Sequence, residues 1–150
     1  MLRGIGQEDL AEVLPISVYD GRQAHSEEDA RWMLEQIAAD YRQGTSIHWG
    51  LFLPDTYTLV GSCGFYRGFA QETGELGYIL KAGYRGRGFM REAATAIVRF
   101  GFTGLGLRRI VAYTDSDNEA SIGVLRAVGF TEELPPPAGS RKFGLAPPLA

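Results

Sequence analysis

Apolar residues along this chain recur at two different periods, and the places where the period changes mark out the elements. Ala30, Met33, Leu34, Ile37, Ala38 and Tyr41 return every three or four positions, which is the spacing of one helix face. Ser26 ahead of Glu27, Glu28 and Asp29 offers a capping hydroxyl and carboxylates that oppose the positive helix end. With Gly44 placed to stop it, this pattern predicts a helix running to about Arg42. Upstream, Leu2 to Ile5 suits a short strand, and Glu8 to Leu14 starts a helical pattern that Pro15 interrupts.

Three strand-like stretches follow, Ile47 to Leu53, Leu59 to Tyr66 and Glu72 to Leu80, separated by Pro54-Asp55 and by Gly68 to Gln71. Such spacing predicts an antiparallel meander. From Gly88 the period turns helical again: Phe89, Met90, Ala93, Ala94, Ala96, Ile97 and Phe100 are apolar, and Arg91, Glu92, Thr95 and Arg99 form a narrow polar stripe. A helix so apolar is buried on most sides. Arg109 to Thr114 reads as a strand and Asn118 to Val128 as a helix, closed by Gly129 with Phe130 packing back on the last turn. A short strand from Phe130, a stiff turn at Pro135-Pro136-Pro137 and a last strand from Arg141 to Ala146 complete the pattern. The order of elements predicts a mixed α/β fold.

Composition bounds this picture. A chain of 150 residues, 45% hydrophobic, fills one core of ordinary size, so residues 1–150 are expected to form a single domain. Fifteen Lys and Arg against 18 Asp and Glu give a net charge of -3, too acidic for a general nucleic-acid binder and better suited to a cationic substrate. The lone Cys63 allows no internal disulfide and no cysteine-based zinc cluster, and no stretch reaches the roughly 20 apolar residues that span a bilayer. A cytoplasmic protein with no membrane partner is the expectation, and monomer and homodimer both fit.

The chemistry concentrates at two junctions. In Leu80-Lys81-Ala82-Gly83-Tyr84-Arg85-Gly86-Arg87-Gly88-Phe89-Met90-Arg91 a strand turns through glycines straight into the apolar helix. Small residues let the backbone approach a ligand, successive amides can point at phosphate oxygens, and the helix N-terminus adds partial positive charge. Arg85 and Arg87 add formal charge. No Lys-Ser or Lys-Thr pair makes this a Walker loop, and Arg91 stands where a dinucleotide fingerprint needs its third glycine. Taken alone, the segment also suits a flexible loop that caps a helix. The second junction, Tyr113-Thr114-Asp115-Ser116-Asp117-Asn118-Glu119-Ala120-Ser121, leaves a strand and opens a helix with polar groups in its first turn.

Together, Arg85-x-x-Gly88, Asn118-x-x-Ser121 and Gly129-Phe130 resemble the GNAT superfamily of acyl-CoA N-acyltransferases, nearest to its ribosomal-protein N-terminal acetyltransferase branch. Leu2-Arg3 with Asp9, and Gly74-Glu75-Leu76-Gly77-Tyr78, resemble that branch too. The resemblance implies a mostly antiparallel sheet, splayed at the cofactor site and flanked by helices, with acetyl-CoA as cosubstrate and no metal. It implies that Arg85, Gly86, Arg87, Gly88 and Phe89 hold the pyrophosphate, with Met90 also at the cofactor. Ile79 and Leu80 would hydrogen-bond the pantetheine arm from the splayed strand, and Asn118 would contact it. The acceptor would be a peptide or small-molecule amine that attacks the thioester directly, which calls for a base and for a proton donor to the thiolate. Glu75 is the expected base; an exposed strand residue paired with an Arg is the plain reading of the same position. Many members carry the donor Tyr where this chain has Leu125; Ser121 matches the hydroxyl carried by the ribosomal-protein branch, and that resemblance makes it the expected donor, with Asp117 or Asn118 left to cap the helix. Met90 stands where the stricter pattern has Gly or Ala.

Other residues carry less. Cys63, inside Leu59 to Phe65, suits a core thiol, and His25 and His48 lack the spacing of metal ligands. Trp32, Trp49, Tyr66 and Phe69 suit an acceptor pocket or the core and its edge. Two other functions stay open on the sequence: an acyl-CoA sensor or scaffold without turnover, and a phosphate-binding module for nucleotides.

Overall fold

The computed structural model describes residues 1–149. Strand β1 (Leu2–Arg3) is tied down by charge: Arg3 donates to both oxygens of Asp9 at 2.9 and 2.8 Å, and the Gly6 amide donates to the same carboxylate at 3.0 Å. The Arg3 guanidinium holds the Asp9 carboxyl below its usual range. The helical pattern that follows is divided, as Pro15 demands. A 3-10 turn at Gln7–Asp9 leads into α1 (Leu10–Val13), and a second at Leu14–Ile16 contains the proline.

A hairpin that the hydrophobic periods do not predict comes next, β2 (Val18–Tyr19) and β3 (Arg22–Gln23). Its turn is Asp20-Gly21, both at positive φ (48° and 77°), the geometry that two-residue hairpin loops require. Helix α2 (Glu27–Arg42) starts as predicted, with the Ser26 hydroxyl accepting from the Asp29 amide at 3.1 Å.

The predicted meander is β4 (Ile47–Phe52), β5 (Leu59–Tyr66) and β6 (Thr73–Leu80), paired antiparallel with Trp49 opposite Cys63 and Cys63 opposite Tyr78. Strand β6 begins one residue later than predicted, because Ala70–Glu72 forms a 3-10 turn. Helix α3 (Phe89–Thr103), β7 (Arg109–Asp115), α4 (Glu119–Val128), β8 (Thr131–Glu133) and β9 (Ser140–Leu145) complete the fold. The seven-stranded sheet runs β1-β4-β5-β6-β7-β9-β8, and every neighbouring pair is antiparallel except β6 and β7.

That parallel pair positions the site. Its register runs from Thr73 opposite Arg109 to Leu76 opposite Ala112 and stops there. Beyond it, Gly77 to Leu80 pair only with β5, and Tyr113 to Asp115 only with β9. The two strands therefore part in mid-sheet, as the family resemblance implies. Helices α3 and α4 cover one face through Met90, Ala94, Ile97, Ile122 and Leu125, packed with Cys63, Phe65, Leu76 and Phe143. On the other face α1 and α2 bury Leu10, Val13, Met33 and Leu34 against Phe52 and Leu59. A register shift at Leu51 and Phe52 lets Leu59 join that second core while Val60 joins the first.

Cys63 is fully buried, as expected of a core thiol. His48 sits on β4 with its ring 6.1 Å from that of Tyr66, and burial pushes its imidazole down to about 4. The unfolded chain therefore binds a proton that the fold does not, through the window from the ordinary value of 6.5 down to about 4. Stability supplied by neutral His48 is present above that window and lost as pH falls through it, by about 2 kcal/mol at pH 5. Urea melts at pH 7 and pH 5 should show wild type losing about that much more than His48→Gln; equal losses would place the acid sensitivity elsewhere.

Candidate active site

One cavity of about 970 Å³ opens where β6 leaves β7. The glycine loop forms one end of its wall. Arg85, Gly86, Gly88, Phe89, Met90 and Arg91 line it, and Gly88 caps α3 in the left-handed region (φ 81°), where a side chain is strained. Among the described residues, no backbone N–H from Gly86 to Arg91 has an acceptor. A run of free amides at a helix N-terminus, flanked by two guanidinium groups, suits phosphate oxygens. Arg87 departs from the expectation. It is not part of the cavity wall, and its guanidinium lies 5.7 Å from the centroid of the Tyr84 ring. Arg91, in the first turn of α3, lines the wall instead.

The middle of the wall is the parted stretch of β6, Gly77 to Leu80, which has backbone groups on its β7 side without strand partners. Ile79 and Leu80 lie in this stretch, and Leu80 O already accepts a long bond from Arg85 Nε at 3.4 Å. Across the gap lies the start of α4. Asn118 caps it, its Oδ1 accepting from the Ser121 amide at 3.1 Å, which leaves the Nδ2 hydrogens for a ligand. Asn118 being the cap, the Ser121 hydroxyl is free of that duty. It lies 2.8 Å from the Tyr78 hydroxyl, and the phenol also reaches Ser121 O at 3.1 Å.

Tyr78 is the residue the sequence did not single out. Burial pushes its phenol up to about 12, so it holds its proton at neutral pH. The signal was there: alternation along β6 puts Tyr78 on the helix-facing side with Leu76, and a buried tyrosine hydroxyl there needs a partner from a helix. The same alternation puts Glu75 on the opposite face, sharing it with Ser62, Tyr66 and Ile79. Glu75 lines the cavity and accepts from Arg67 through Oε1, leaving Oε2 open. Of the aromatic candidates, Tyr66 lines the cavity, Trp49 packs edge-on to Phe100, Phe69 to Phe65 and Trp32 to Tyr19.

A family model described as an acetyltransferase (GNAT) domain matches residues 1–131. The chain belongs to the GNAT acetyltransferase family. It is 38% identical over 108 residues to a protein named as an uncharacterized N-acetyltransferase, YoaA, of Bacillus subtilis (strain 168), a match covering 71% of this chain and 60% of that one. It is 32% identical over 103 residues to the [ribosomal protein uS5]-alanine N-acetyltransferase of Escherichia coli (strain K12), covering 67% and 53%. The chain thus spans a little over half the length of these relatives. In fold it is similar to the microcin C7 self-immunity acetyltransferase MccE, solved in complex with acetyl-CoA and AMP, at TM-score 0.80 and 17% identity, covering 97% of this chain and 91% of that one.

Proposed function

We propose that the protein moves the acetyl group of acetyl-CoA to a primary amine by direct attack. The observation that carries this reading is the run of unpartnered amides, Gly86 to Arg91, opening onto the same cavity as the parted strands and the Ser121–Tyr78 pair. The amides, with Arg85 and Arg91, hold the pyrophosphate. Ile79, Leu80 and Asn118 take the pantetheine arm, which delivers the thioester to the gap between β6 and α4.

Glu75 accepts the ammonium proton, directly or through a water on Oε2, and leaves a neutral amine to attack. The amine nitrogen bonds to the thioester carbon and the C–S bond breaks; the Ser121 hydroxyl gives its proton to the departing sulfur and takes the nitrogen's second proton in return. With its single proton turned from Ser121 O to Ser121 Oγ, Tyr78 donates to that hydroxyl and makes it a better donor. A peptide α-amine or a small-molecule amine serves as acceptor; the uS5-modifying relative supports the first. One observation favours a second reading, an acyl-CoA-binding domain without turnover: Glu75 Oε1 is occupied by Arg67. Turnover against a broad amine panel separates the two.

Calorimetric titration tests the cofactor first. Acetyl-CoA and CoA should both bind with micromolar or tighter affinity and ATP weakly. Arg85→Ala should weaken acetyl-CoA binding about five- to tenfold at low salt and less at high salt, since the contact is an exposed charge pair, and Arg87→Ala should do less. No binding of either thioester or CoA would remove the reading's main support.

A further inference from the structure

Charge is distributed unevenly along the cavity. Strand β6 runs along its wall from Glu75 to Leu80, about 16 Å at the rise of a strand. The Leu80 end carries the cationic loop. The Glu75 end is acidic: Asp20 from the β2–β3 turn, Asp40 from the last turn of α2, and Glu75 line it together with a single guanidinium, Arg67. Arg67 is engaged already, by Glu75 and, at 3.8 Å, by Asp20.

Asp40 is different. No cationic side chain pairs with it among the described residues. Its Oδ2 accepts from the Tyr19 phenol at 2.9 Å, which orients the carboxylate and leaves Oδ1 open. The Thr45 amide and hydroxyl both donate to the Asp40 carbonyl, at 2.9 and 3.1 Å, and Gly68 N donates to Thr45 O at 2.7 Å, so this end of α2 is fixed against the end of β5. Next in the chain, Ser46 lines the same cavity. It is 6% exposed, and its hydroxyl has no hydrogen-bond partner. A buried hydroxyl left unmatched is destabilising, and a ligand donor would relieve it.

We propose that Asp40, with the Ser46 hydroxyl and Asp20, forms a subsite for a second ammonium group, so that the preferred acceptor is an alkyl amine with a positive charge beyond the amine it presents for acetylation. The inference rests on the acetyltransferase reading and narrows its substrate class. Two sources share this chemistry, a free polyamine and a peptide whose α-amine is followed by a basic side chain.

The test compares amines that differ only in the second charge: n-alkylamines against α,ω-diaminoalkanes of matched length, and Ala-Lys amide against Ala-norleucine amide. At the best length the diamine, or the lysyl dipeptide, should show a KM about tenfold below its uncharged counterpart, the gain from one oriented carboxylate, and added salt should shrink the gap. Which pair shows the larger gap identifies the source. Asp40→Asn keeps an acceptor for Tyr19 and should raise the KM of the dication to that of the monocation. Equal KM values at every length, or a preference that survives Asp40→Asn, would overturn the subsite. Should no amine be acetylated, the acetyltransferase reading fails by itself. The subsite is then judged by calorimetric titration of diamine and monoamine into CoA-saturated protein: tighter diamine binding that Asp40→Asn abolishes supports it, and equal binding refutes it.

Discussion

Replacing Ser121 with Ala is expected to lower kcat on the order of a hundredfold while leaving acetyl-CoA affinity unchanged, because the hydroxyl acts on charge that develops only as the thiolate departs. Tyr78→Phe should cost about tenfold, since the phenol reaches the sulfur only through Ser121 Oγ, 2.8 Å away. Acting in series, the two changes should not add. The Ser121→Ala/Tyr78→Phe double variant should be no slower than Ser121→Ala alone, which a merely structural tyrosine would not produce. Glu75→Gln is expected to behave differently: its rate loss should shrink as pH rises, because solution then supplies the neutral amine that the carboxylate otherwise prepares. Single-turnover rates across pH decide the matter. Rates within twofold of wild type for both Ser121→Ala and Glu75→Gln would end the assignment of Ser121 as donor and Glu75 as base.

What the sequence revealed of this site follows from how local each signal is. The cap at Ser26, the glycine loop into α3, and Gly129 (φ 109°) closing α4 are decided by residues within a few positions of one another, and each is where the pattern predicts it. The β2–β3 hairpin is equally local, and its Asp20-Gly21 turn is a readable signal. It escapes notice because two-residue strands are too short to show a period, so the stretch from Ile16 passes as a lead-in to α2. Tertiary pairing hides the rest. That β6 and β7 run parallel and part after Leu76 depends on a connection made by all of α3, and nothing within either strand states it. The Tyr78–Ser121 pair, 43 residues apart in the chain, arises only once α4 lies on the face to which β6 turns its even-numbered side chains. The same logic explains Arg87 and Arg91: both flank Gly88, and only the start of α3 decides which one faces the cavity.

Helix α3 can present the loop only if it is held against the sheet, and one ring does much of that. Phe65 is fully buried between two glycines, Gly74 on β6 and Gly101 on α3, and meets Phe69 edge-on at 6.3 Å between ring centroids. A Cβ at Gly101 would fall 2.7 Å from Phe65 Cζ, and one at Gly74 2.9 Å from its Cδ1, so the two glycines make the space the ring fills. Phe65→Ala should therefore cost about 3–5 kcal/mol, a transfer loss plus an unfilled cavity. In a domain of this size that lowers Tm by roughly 8–15 °C. Gly101→Ala alone should also destabilise, since the helix-propensity gain of about 1 kcal/mol is outweighed by overpacking against the ring. Combined with Phe65→Ala the sign should reverse. The new methyl then enters the vacated space, Ile110 Cδ1 at 3.1 Å yields by a few tenths of an ångström, and the propensity gain survives, so the double variant should be about 1 kcal/mol more stable than Phe65→Ala. Denaturant midpoints of the four proteins measure this directly. A Gly101→Ala effect of the same sign in both backgrounds would mean that Phe65 does not set the spacing between α3 and the sheet.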